Sequence, residues 1–439
     1  VRVGLSRGNC RLAPNEGRGV RVNLALYVHI PFCIQKCGYC DFNSYAGYGP
    51  EAQRSYVEAL MHEMDLWARR PEAAQMPVTS VFIGGGTPTV LDGELLAAVL
   101  RAARERFALT PDAEVTVEAN PGTVDVAGEK LHRVREAGAN RISFGVQAGQ
   151  PHLLRRLGRI HTVEEVERAV AAARAAGFEN LNLDLMYDLP GQTPADLRET
   201  LTWALSLEPT HISAYSLIVE EGTPFFAAQQ AGQLDLPGEE AEAEMETILA
   251  ELLGAAGFHQ YEISNWARRG FECQHNQVYW RNEPYLGLGC GAHSYLQLQA
   301  PLGNLGLPAP RLSASRVQGG CEVHTAPGKR GDHYRFWNLR TPTAYRNALE
   351  AGRLPVEAGE AVDEATEMAE TMMMGLRMVS GVSEERFMVR FGRPLESVYG
   401  QVIDRLQRLG LLERRDGAVR LTARGMRLGN LVWQEFLPE

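Results

Sequence analysis

The chain has 439 residues, 45% of them apolar and 22% charged, with a formal net charge of −10. That length exceeds the roughly 250 to 300 residues at which one hydrophobic core stops growing, so a large domain and a smaller one are expected. No run approaches the roughly 18 to 20 apolar residues that a membrane-spanning helix needs, and the acidic balance argues against general affinity for nucleic acid.

Residues 1–22 carry five arginines and one glutamate, without the apolar run of a signal-peptide core, and are expected to form a disordered leader. Seven cysteines, an odd number in a long chain with no secretory signal, point to reduced thiols and a cytoplasmic setting. From residue 23 a β-rich run recurs six times, each followed by a helical pattern: "LALYVHI" (24–30), "VTSVFIG" (78–84), "EVTVEAN" (114–120), "NRISFGV" (140–146), "NLNLDLM" (180–186) and "THISAYS" (210–216). Thr162 with Glu165 reads as a capping box, Gly177 as the stop of that helix, and Thr193-Pro194 as a helix start. Strand alternating with helix implies a parallel sheet with right-handed crossovers.

Period-two alternation decides its form. In three successive strands one face is apolar, and the other carries Thr116 and Glu118, then Arg141, Ser143 and Gln147, then Asn182 and Asp184. A doubly wound sheet should read apolar on both faces, so the pattern predicts an α/β fold built as an open, partial (βα)6 barrel with a polar interior. Functional groups are then expected at the C-terminal ends of its strands.

Residues 23–257 would form that barrel and 258–298 a connecting segment. Residues 299–333, with four prolines and six glycines, read as a low-complexity surface loop. Residues 334–439 return to helix, with "LLERRDGAVRLT" as a hairpin turned at Asp416-Gly417, so a C-terminal, mainly helical, winged-helix-like domain is expected. Residues 340–439 hold 14 arginines against 15 acids, which favours a structural or substrate-covering role over DNA binding. The run Met372, Met373 and Met374 reads as adaptable core filling.

The densest chemistry is in "YVHIPFCIQKCGYCDFNSY" (27–45), which places Cys33, Cys37 and Cys40 within eight positions. Spacing alone leaves two readings. One is zinc, with His29 or Asp41 as the fourth ligand; the other is an iron–sulfur cluster with one iron left open to a small molecule.

The triplet, with Tyr39 before its last cysteine and directly after the first strand, resembles the radical S-adenosylmethionine (SAM) superfamily. "GGGTP" (84–88) resembles the loop that binds the SAM amino group there, bringing in Gly85, Gly86 and Thr87. Over most of residues 24–439 the chain resembles the oxygen-independent coproporphyrinogen III dehydrogenase-like family, and within it the haem chaperone branch. The resemblance implies a [4Fe-4S] cluster on Cys33, Cys37 and Cys40. It also implies SAM held by Tyr27, Glu118 of "VEANP", Gln147 of "FGVQ", Arg159 of "LGRIHT" and Asp184 of "NLDLMYDLPGQT".

Two features separate the branches. The dehydrogenases carry a further cysteine where this chain has Phe42, and "HNQVYW" (275–280) matches the HNxxYW motif tied to haem in the chaperone branch. His275, Tyr279 and Trp280 are thereby implied in haem binding, with His293 of "GLGCGAHSY" a second ligand candidate. Cys273 and Cys290 read as buried structural thiols. The implied function is a haem chaperone that uses a [4Fe-4S] cluster and SAM and delivers haem to haem-requiring respiratory proteins, with peripheral membrane contact and no nucleic acid. The alternatives are coproporphyrinogen III dehydrogenation and a zinc-stabilised interaction protein.

Overall fold

A computed structural model describes residues 23–74, 76–125, 127–298 and 333–437. The expected leader at 1–22 lies outside the described residues, and so does the expected loop at 299–333 except for His333. The six β-rich runs become β1 (Leu24–Ile30), β2 (Val78–Gly85), β3 (Leu109–Ala119), β4 (Arg141–Gln147), β5 (Asn180–Tyr187) and β6 (His211–Ser216). Each pairs in parallel with the next in chain order.

The sheet does not end with those six. The stretch expected only to connect supplies β7 (His259–Gln260), β8 (Asn265–Ala267), β9 (Tyr285–Leu288) and β10 (His293–Gln297), and β11 (His333–Asn338) and β12 (Val356–Val362) follow. Strand β9 is a seventh parallel strand beside β1, and β10, β11 and β12 extend the sheet antiparallel from it. At the far side β8 and β7 add antiparallel to β6. The twelve strands run β12-β11-β10-β9-β1-β2-β3-β4-β5-β6-β8-β7, an order that leaves the barrel open.

The helices begin and end on the expected signals. Thr162 and Glu165 complete both halves of a capping box before the helix Val163–Ala175, and Gly177 takes up a φ of 88° after it. Thr193 and Asp196 do the same before Pro194–Ser206, with proline in the first turn.

The two faces of the sheet divide by polarity. One register row carries Glu118, Ser143, Asn182 and His211 across β3 to β6, and the next carries Gly145, Asp184 and Ser213 across β4 to β6. The alternate residues Val117, Ile142, Phe144, Leu181 and Leu183 are fully or almost fully buried in the main apolar core. Burying one such side chain contributes about 1.5–3 kcal/mol, so a one-residue slip of register, which would turn these groups to the polar face, is strongly disfavoured.

A second core forms around Met372, Phe387, Leu395, Ile403, Val419 and Phe436. Met372 is buried there, while Met373 and Met374 are half-buried. Its three-stranded wing pairs Val382–Ser383 with Ala418–Leu421 and that strand with Leu412–Arg415. Asp416 at φ 53° and Gly417 at φ 73° form the hairpin turn between the last two. The border between the two cores lies later than residue 334: Tyr334, Phe336, Tyr345 and Leu349 belong to the main core, and the second begins at Met368.

Candidate functional site

The segment after β1 turns back on itself at the C-terminal end of the sheet. Phe32 and Cys33 pair in parallel with Tyr45 and Ala46, Gly86 N–H donates to the Ile30 carbonyl (2.8 Å), and Thr87 N–H donates to the Phe32 carbonyl (2.7 Å). Two glycines make that contact possible. A Cβ on Gly86 would lie 2.7 Å from the Phe32 carbonyl oxygen, and one on Gly85 would lie 2.4 Å from the His29 ring, with Gly85 already at φ 111°. The glycine-rich loop is thus fitted first to the cysteine loop beside it.

Cys33, Cys37 and Cys40 are all free and half-buried on this loop. Cys33 Sγ lies 3.7 Å from Thr87 Oγ1, and Arg159 Nη1 donates to Cys37 Sγ at 3.5 Å. Burial pushes the Cys33 and Cys40 thiols up, so a metal must displace their protons to bind. Among the described residues no three His, Cys, Asp or Glu side chains converge on a position for a single ion. His29 cannot complete a zinc site: its Nε2–H donates to the Asn43 carbonyl (2.8 Å), and its Nδ1 accepts from the Tyr27 hydroxyl (2.9 Å). Three reduced thiols on one loop suit an iron–sulfur cluster, whose separate irons take thiolate ligands.

The polar face supplies a carboxylate pair beside that loop. Glu118 accepts from Gly85 N–H at 3.2 Å, and burial, with Asp184 adding its charge, pushes its carboxyl up to about 8. Asp184 accepts from Ser143 Oγ (2.7 Å) and Asn182 Nδ2 (2.8 Å). Gln147 sits in the left-handed region at φ 71°, where the β4–β5 register shifts. Ideal Cβ geometry at Gly145 places both the Gln147 amide and the Arg159 guanidinium 3.1 Å away, and Arg159 Nη2 donates to the Gly145 carbonyl at 2.5 Å. Arg159 therefore bridges the inner face and the cysteine loop.

Tyr27, Gly85 and Glu118 line a cavity of about 680 Å³, and Asp41, Phe42, Tyr279, Tyr285, His293, Trp337 and Arg340 complete much of its wall. That size lies within the roughly 300–1,000 Å³ usual for small-molecule sites. The motif residues part company here. Tyr279 faces the cavity, and its ring meets Tyr285 edge-on at 4.7 Å. Trp280 points the other way, with the Arg377 guanidinium 4.7 Å from its ring and 4.5 Å from that of Trp433.

His275 is 1% exposed, and both its nitrogens are engaged: Nδ1 with Ser80 Oγ (2.9 Å) and Nε2 with the Tyr279 hydroxyl (2.9 Å). It stacks on Phe82 at 5.2 Å, and burial, followed by the Arg141 charge, lowers its pKa to about 3. Glu114, also buried, accepts from the main-chain N–H of Gln274 (3.0 Å) and His275 (3.1 Å) and so caps this short helix. An iron ligand at His275 would have to break both ring contacts. Cys273 and Cys290 are fully buried, and burial raises each thiol to about 12.

Sequence reasoning missed several groups that shape the site. Asn43 donates to the carbonyls of Cys290 (3.1 Å) and Arg340 (2.9 Å), tying the cysteine loop to the sheet extension. Glu63 accepts from Gly289 N–H (2.7 Å), from Asn338 Nδ2 (2.7 Å) and from the Tyr345 hydroxyl, and burial pushes its carboxyl up to about 7. A carboxylate amid the apolar residues of the helix Pro50–Ala68 was the one available sign.

Comparison with known proteins places these features. Residues 27–204 match the radical SAM superfamily model, and residues 362–428 match the HemN C-terminal domain. The chain is 39% identical to "Heme chaperone HemW" of Bacillus subtilis over 414 residues, 94% of this chain and 99% of that one. It is 43% identical to the Escherichia coli protein of the same name over 270 residues, 62% of this chain and 69% of the relative. The structure of coproporphyrinogen III oxidase (HemN) from Escherichia coli superposes with a TM-score of 0.74 at 22% identity, covering 95% of this chain and 90% of that one, a likeness of fold. The chain therefore belongs to the heme chaperone HemW family within the radical SAM superfamily.

Proposed function

We propose that this chain binds haem and passes it to haem-requiring proteins, with a [4Fe-4S] cluster on Cys33, Cys37 and Cys40 and SAM beside it. The observation that carries this reading is the single cavity shared by Tyr27, Gly85 and Glu118 on one side and Tyr279 and His293 on the other. When bound, the cluster offers an open iron and single electrons to a sulfonium nucleotide, chemistry that belongs to the cofactors. The side chains hold and orient. Glu118 and Asp184 would accept from ribose hydroxyls or an ammonium, and Arg159, which donates to the Cys37 sulfur, would face a carboxylate. Thr87 supports Cys33 in the same way.

Recipients of the haem are taken to be respiratory enzymes reached at the membrane periphery. No helix among the described residues is long and apolar enough to cross a membrane, and Ile34 and Phe42 stay exposed on the cysteine loop, where a partner can approach.

Coproporphyrinogen III dehydrogenation is the competing reading. Phe42, 62% exposed at the cavity wall, stands where that branch carries a thiol. The deciding experiment is anaerobic reconstitution with iron and sulfide, followed by parallel assays for haem binding and coproporphyrinogen turnover. Haem uptake without turnover supports the chaperone reading; formation of protoporphyrinogen overturns it. One zinc, no iron and no visible absorbance would instead establish a zinc-stabilised protein.

A further inference from the structure

The shared cavity contains two histidines, and they are not equivalent. His29 is 5% exposed with both ring nitrogens engaged. His293, the first residue of β10, is exposed, and neither of its nitrogens has a hydrogen-bond partner among the described residues. Its ring lies against Trp337 at 5.6 Å with 25° between the planes, and the two residues are direct partners across the β10–β11 ladder. The indole fixes the imidazole plane without using a nitrogen. Partial desolvation of the ring against the cavity wall, then the Arg335 and Arg340 charges, lowers the His293 pKa, a direction that favours the neutral ring with its lone pair.

The backbone around His293 is held firmly. Glu63 grips Gly289 on one side and Asn338 on the other, and Gly291 N–H donates to the Leu339 carbonyl at 3.0 Å. Arg340 lines the same cavity. Its carbonyl is pinned by Asn43 Nδ2 and the Tyr45 hydroxyl (3.2 Å), while its guanidinium forms no ion pair among the described residues. An imidazole with no hydrogen-bond partner and a guanidinium with no ion pair among the described residues line the same cavity as Phe42, Tyr279, Tyr285 and Trp337, a set that matches a flat metallated macrocycle with carboxylate side arms.

We propose that His293 supplies the axial nitrogen to the iron of haem in this cavity and that Arg340 pairs with a propionate. His275, by contrast, is a positioning residue that sets the Tyr279 ring in the wall. This assignment rests on the haem-carrying reading above.

The test titrates the full, cluster-loaded chain with ferric haem under anaerobic conditions, following the Soret band, the EPR spectrum of the haem iron and the dissociation constant. Wild type should show a histidine-ligated spectrum. His293→Ala should bind at least tenfold more weakly with a changed spectrum, while cluster iron and SAM binding stay at wild-type levels. His293→Gly should regain the wild-type spectrum on addition of imidazole, a rescue that a purely structural role would not give. Arg340→Gln should weaken binding of haem but not of its dimethyl ester.

Wild-type affinity and spectrum in both His293 variants would overturn the ligand assignment, and so would a tyrosinate-type spectrum that disappears in Tyr285→Phe. Equal effects of Arg340→Gln on haem and ester would overturn the propionate pairing. If wild type itself takes up no haem, the haem-carrying reading fails instead, which separates the two failures.

Discussion

The cysteine loop and the helix Gln274–Trp280 both carry motifs, yet they are built on opposite terms. On the loop, three thiols are half-buried and free, and two apolar side chains stay in solvent. In the helix, His275 has both nitrogens bonded, its first turn is capped by a buried carboxylate, and Trp280 is clamped by Arg377. Groups left with spare bonding capacity are available for a ligand; groups with every bond satisfied hold a shape. A sequence motif alone does not distinguish these two cases.

The largest effect expected from this contrast is at the loop. Replacing Cys33, Cys37 or Cys40 by Ala should abolish bound iron after anaerobic reconstitution, while the melting temperature of the apo form hardly changes. Iron content at the wild-type level in all three variants would break the comparison. The helix should behave in reverse. His275→Ala removes two buried hydrogen bonds and a stacked ring, and should destabilise the fold by about 2–4 kcal/mol in a denaturant titration while cluster iron is retained.

A smaller effect tests the carboxylate pair. Glu118, with its carboxyl raised to about 8, is mostly protonated at pH 7, whereas an ammonium ligand prefers it ionised. SAM binding should then release a proton, and affinity should rise by up to about tenfold per pH unit below that value. Calorimetry in buffers of different ionisation enthalpy checks this, and Glu118→Gln should remove the dependence. The smallest effect is in the wing, where Gly417→Ala at φ 73° should cost about 1 kcal/mol and leave cofactor binding untouched.

The six parallel strands were legible because period-two alternation is local: Glu118, Ser143 and Asn182 face one way whatever lies far along the chain. Strand β9 was not legible. Four residues between Pro284 and a glycine-containing turn carry no period, and the strand's place beside β1 depends on pairing between residues such as Tyr27 and Gly287, far apart in sequence. The same limit applies to the site. The i to i+4 spacing of His275 and Tyr279 foretells that they touch, but not that Ser80 and Phe82 of β2 close over the imidazole. His293 is the converse case, since nothing nearby in the chain shows that Trp337 supports it across a ladder.

Tyr279 and Trp280 are neighbours on a single helical turn, one forming part of the cavity's lining and the other sandwiching Arg377 with Trp433 of the C-terminal unit. One peptide bond therefore joins the aromatic lining of the cavity to the cation–π stack of the C-terminal core, so a substitution that loosens Arg377 also removes a support from the helix that presents Tyr279.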